Sequence, residues 1–78
     1  MENWELHNQI KVQRAIKNLT QEELATKIGV TRKTINTIEN GKFVPSTILA
    51  IRLARFFEIK VEELFELIDN QNTGYNKV

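Results

Sequence analysis

The chain has 78 residues, 41% of them hydrophobic and 27% charged, which is enough for one small domain and too apolar for a disordered chain. It has no cysteine and a single histidine, which excludes disulfides and thiolate metal centres and leaves no zinc site, so no metal or cofactor is implied. The net charge of +1 is unevenly spread: residues 27–57 carry Lys27, Arg32, Lys33, Lys42, Arg52 and Arg55 against Glu39, whereas 58–78 are acidic on balance. A basic middle suits a polyanion, with an acidic end turned elsewhere. The opening MENWELHNQ lacks the cationic-then-apolar order of a signal peptide, and no apolar run approaches the roughly 18 residues of a membrane span. The expected setting is cytoplasmic.

Taken in chain order, Trp4 to His7 alternate apolar and polar, which fits a short strand as an alternative to helix; its only partner would be the chain end near Phe65-Glu66-Leu67-Ile68. Ile10 to Lys17 reads as a first helix. Thr20-Gln21-Glu22-Glu23 is a capping box, in which the Thr20 hydroxyl accepts from the Glu23 amide and the Glu23 side chain reaches back. A second helix follows, with Leu24, Ala25 and Ile28 on one face and Gly29 as its stop. Thr31 can cap a third helix, RKTINTIEN, that ends at Gly41. Pro45 marks a loop, and Ser46 can cap a fourth helix whose Leu49, Leu53, Phe56 and Phe57 recur at helical spacing. VEELFEL predicts a short fifth helix from about Val61, and residues 69–78 form a polar, uncapped tail. The expected architecture is all-α, a compact five-helix domain over 1–68 with a helix-turn-helix over about 20–40, and a short two-stranded sheet from the termini as an option.

The third helix is unusual in burying only Ile35 and Ile38. At about 100° per residue these two set the inward direction, and Arg32, Lys33, Asn36 and Thr37 occupy the opposite side. Arg and Lys donate to guanine N7 and O6, Asn pairs in two places with adenine, and a Thr methyl can meet the thymine methyl. The starts of two helices, Thr20-Gln21 and Thr31-Arg32, suit phosphate oxygens. On this pattern alone a face that reads double-stranded DNA and the ordinary solvated face of an amphipathic helix stand as alternatives.

TQEELATKIGVTRKTINTIENG resembles the helix-turn-helix of the phage repressor and Cro-like, or xenobiotic-response-element (XRE), family. Gln21, Leu24, Ala25, Gly29, Val30, Thr31, Ile35, Ile38, Glu39 and Gly41 match its pattern, and Pro45-Ser46 and VEELF extend the likeness over about residues 10–66. The resemblance implies a sequence-specific transcriptional regulator, a repressor that binds a palindromic operator as a homodimer, with Arg32, Lys33, Asn36 and Thr37 in the major groove. It further implies that Thr20, Gln21, Thr31, Asn40, Lys42 and Ser46 grip the DNA backbone, and that Arg14 and Glu39 form a buried structural ion pair. Departures from the pattern lie outside this unit: Thr47 where leucine is common, Ile48 where a polar residue is usual, Glu58 where glycine often ends the fourth helix, and Lys60 in place of a Ser/Thr cap.

For self-association, Trp4, Leu6, Ile48, Phe65, Leu67 and Ile68 are the candidate contact residues, in keeping with small members of the family, similar to the cytolysin-operon repressor, that pair through their C-terminal region. The competing function is an antitoxin-like or adaptor module whose main partner is another protein. An enzyme is not expected: Glu22-Glu23 and Glu62-Glu63 sit at helix starts, where acids complement the dipole without catalysis, and His7 has no nucleophile at a recognisable spacing. No small-molecule pocket is evident.

Overall fold

The computed structural model describes residues 4–69. Within them the order is β1 (Trp4–Asn8), α1 (Ile10–Ile16), α2 (Gln21–Ile28), α3 (Arg32–Glu39), α4 (Thr47–Phe57), α5 (Val61–Leu64) and β2 (Phe65–Asp69). Each long helix starts on a side-chain cap. Thr20 accepts from the Glu23 amide at 3.0 Å while its own amide donates to Glu23 Oε1 at 2.8 Å; Thr31 accepts from Thr34 at 3.2 Å and Ser46 from Leu49 at 3.1 Å. The caps satisfy amides that a helix start otherwise leaves without an acceptor.

Gly29 closes α2 with φ +88°, and both its amide and that of Val30 donate to the Ala25 carbonyl. That conformation is cheap for glycine and sets the sharp turn into α3. Arg52, from α4, donates to the Ile28 carbonyl at the same helix end. Ile10, Leu24, Ile28, Ile35, Ile38, Leu53, Phe57 and Leu64 meet in one core drawn from all five helices.

The termini correct part of the expected layout. α5 is a single turn and stops at Leu64; VEELFEL does not continue as helix. Phe65–Asp69 is instead the strand β2, antiparallel to β1, with Leu6 opposite Leu67 and Asn8 opposite Phe65. The optional terminal sheet is therefore present. The physical reason is the period. Phe65 and Leu67, two apart, lie on the same side of the ladder as Leu6, which turns Phe65 and Leu6 onto the core and leaves Leu67 exposed beyond them, an arrangement a helix over these residues could not give. Asp69 is the last residue of β2, so the tail expected to begin there does not; residues 70–78 lie outside the described residues.

Candidate nucleic-acid interface

α2 and α3 pack through Leu24, Ala25, Ile28, Ile35 and Ile38, all buried. This leaves Arg32, Lys33 and Asn36 exposed on the opposite side of α3, with Thr37 half-buried beside them. Among the described residues no carboxylate pairs with Arg32, Lys33 or Lys42, so three cations stand uncompensated on or next to one helix. An unpaired surface cation keeps its full field for an incoming anion. Thr37 is less available than periodicity alone implies. Its hydroxyl donates back to the Lys33 and Thr34 carbonyls, both at 3.0 Å, so the methyl and a lone pair are what it retains for a ligand.

The expected backbone-gripping residues are spread along the same side. Thr20, Thr31 and Ser46 are exposed N-caps whose oxygens accept from their own helices, which leaves the Thr20 and Ser46 hydroxyl hydrogens for another acceptor; the Thr31 and Thr34 hydroxyls share one hydrogen bond at 3.0 Å, in which either can donate. Gln21 differs from expectation. Its Nε2 is held inside the domain, 3.0 Å from Glu39 Oε1 and 3.2 Å from Asn36 Oδ1, so its main-chain amide in the first turn of α2 is the donor left for a phosphate. Asn40 also leans inward, with Nδ2 at 3.4 Å from Asn36 Oδ1. The Lys42 amide closes α3 on the Thr37 carbonyl at 2.9 Å, and its side chain is exposed.

Behind this surface lies an ion pair. Arg14 Nε donates to Glu39 Oε2 at 2.6 Å, Nη2 to Oε1 at 3.1 Å, and Nη1 to the Leu19 carbonyl at 2.8 Å. The hydrogen bond to Glu39 raises the Arg14 pKa above its ordinary value, against the opposing effect of burial and with help from the Glu39 charge. The pair ties α1 to α3 in two-pronged geometry.

Two positioning residues escaped the sequence reading. Asn8 Oδ1 accepts from the Ile10 amide at 3.1 Å while its Nδ2 donates to the Ile38 carbonyl at 2.9 Å, so one side chain starts α1 and holds the end of α3. An Asn two residues before an apolar helix start was the available signal. Arg52 counted toward the basic middle, but it is directed at α2, where its guanidinium complements a helix C-terminus.

The residues grouped for self-association do not share one surface. Phe65 is only 8% exposed and belongs to this chain's own core, which removes it from any contact between copies. Ile68 lies opposite Glu5, on the face of the sheet away from Leu67, because adjacent strand residues alternate sides. Leu6 is half-buried against the core. Trp4 at 38%, Leu67 at 56% and Ile48 at 72% remain exposed.

The model of the helix-turn-helix family matches residues 10–64, from the first residue of α1 to the last of α5. The chain belongs to the XRE-type helix-turn-helix family. It is 48% identical over 66 residues to an uncharacterized HTH-type transcriptional regulator of Methanocaldococcus jannaschii, covering 85% of this chain and all of that one. Among solved structures it is similar to a candidate DNA-binding protein from Bacteroides fragilis, with TM-score 0.70, 28% identity, and coverage of 78% of this chain and 98% of that one. It is also similar to the SOS-response transcriptional repressor LexA from Eubacterium rectale, with TM-score 0.68, 29% identity, and coverage of 88% and 72%. The protein is a transcriptional regulator with a helix-turn-helix DNA-binding domain. Among the described residues no helix is long and apolar enough to cross a membrane.

Proposed function

We propose that this helix-turn-helix protein is a repressor that binds a palindromic operator as a homodimer, with α3 in the major groove. The observation that carries the reading is the outward face of α3, where Arg32, Lys33 and Asn36 are exposed, free of internal carboxylates and held by two buried isoleucines. In this reading Arg32, Lys33, Asn36 and Thr37 meet base edges, while Thr20, Gln21, Thr31, Asn40, Lys42 and Ser46 meet sugar and phosphate. The similarity to a LexA repressor supports the sign of regulation.

One copy offers one short recognition helix, too few contacts for tight and selective binding, whereas two copies related by a two-fold axis read two half-sites one turn apart. The pairing has to leave α3 free. Trp4 and Leu67 overhang the core on the inner face of the terminal sheet, and with Ile48 on α4 they are the apolar side chains that pairing would cover.

The test is sedimentation at micromolar concentration together with binding to a selected duplex across salt. The parent is expected at twice the 9.1 kDa chain mass. Its affinity should fall by roughly a thousandfold between about 50 and 200 mM salt. Leu67→Asp should sediment as a single chain and bind the same duplex more weakly. A parent that stays at 9.1 kDa, or an affinity indifferent to salt, contradicts the reading.

A further inference from the structure

The orientation of the Asn36 amide is specified by a chain of donors and acceptors that starts in the core. Glu39 Oε1 accepts from Arg14 Nη2 at 3.1 Å and from Gln21 Nε2 at 3.0 Å. A carboxylate paired with a guanidinium only accepts, so the Gln21 atom that faces it is the amide nitrogen. The second hydrogen of that nitrogen is directed at an Asn36 atom 3.2 Å away, which must therefore be the oxygen, Oδ1. Asn40 Nδ2 approaches the same oxygen at 3.4 Å. Both lone pairs of Oδ1 are thus engaged inside the protein. Among the described residues Nδ2 has no partner, and it lies on the far side of the amide from Gln21.

We infer that Asn36 acts in the major groove as a donor only and selects guanine over adenine at the position it faces, an inference that rests on the DNA-binding reading above. Matching adenine takes an amide oxygen that accepts from N6–H while the nitrogen donates to N7, and here the oxygen is engaged. Guanine presents two acceptors, N7 and O6, which suit the two hydrogens of Nδ2. Cytosine N4 presents a donor against a donor. Gln21 is then a positioning residue for specificity: it touches no base, yet it decides which half of the Asn36 amide the DNA meets.

Selection of duplexes from a random pool, followed by sequencing, tests this with the parent and two variants. Asn36→Ala identifies the position, as the one where base preference disappears. At that position the parent should favour guanine over adenine by about fivefold or more, the ratio that one lost specific contact implies. Gln21→Leu frees one lone pair of Oδ1, the other staying with Asn40, and should move the preference there toward adenine while other positions keep theirs. Adenine in the parent pool at that position, or a Gln21→Leu pool identical to the parent's, overturns the inference and leaves the DNA-binding reading intact. A parent pool with no enrichment overturns both. Should Gln21→Leu lose its helical circular dichroism, the base found by the parent still decides.

Discussion

Glu39 is half-buried, with its side chain 6% exposed, and it answers to three donors from two other helices. Truncating one partner leaves the other half-buried without its charge-assisted hydrogen bonds, so Arg14→Met and Glu39→Leu singly should each cost about 1.5–3 kcal/mol of folding stability. The double variant should recover much of that loss, because two apolar side chains then fill the site with no stranded charge. Urea denaturation of the three variants checks this, and additive losses would contradict it. Glu58 poses the opposite case. It closes α4 with φ +62°, in the left-handed region where an L side chain crowds its own carbonyl. Glu58→Gly should raise stability by about 0.5–1 kcal/mol, read as a higher urea midpoint at unchanged slope. An unchanged midpoint would mean that the strain is absent.

At the scale of elements, the helix-turn-helix is legible because its signals are local. The Thr20–Glu23 box, the Thr31 and Ser46 caps and Gly29 are each decided within four or five residues, and all operate in the structure. The expected fifth helix runs on through Phe65-Glu66-Leu67 because the residues before them, Glu62 to Leu64, are helical; the actual partner of Phe65–Asp69 is β1, at the other end of the chain, which sequence alternation offered only as an option. Strand pairing across such a distance is invisible to a local window. The outward face of α3 follows from periodicity alone. The inward pull on Gln21, Asn36 and Asn40 does not, since it depends on side chains from three helices meeting at Glu39. Asn8 is the link between the sheet and the recognition helix. Asn8→Ala should leave the Ile10 amide without its partner and take one of its donors from the Ile38 carbonyl, which keeps the Gly41 amide at 3.0 Å, at a cost of about 1–2 kcal/mol. Faster hydrogen exchange should appear at the amides of β1 and the first turn of α1 before it reaches α2. Uniform acceleration throughout the domain would contradict this ordering.

For the whole molecule, charge and symmetry carry the functional account. Unpaired cations cluster on and beside α3, while the acids Glu62, Glu63 and Glu66 lie in α5 and β2; in the proposed reading the cationic face meets the polyanion and the terminal sheet is left for a second copy. The exposed Trp4 and Leu67 share one face of that two-stranded sheet. Two such domains related by a two-fold axis would place two α3 helices about one turn of DNA apart, about 34 Å. The most direct measurement is the symmetry of the duplexes that the parent protein selects from a random pool. The account predicts an enriched inverted repeat whose half-site centres are about 10 base pairs apart. Enrichment of a single unsymmetric site, or no enrichment at all, would contradict it.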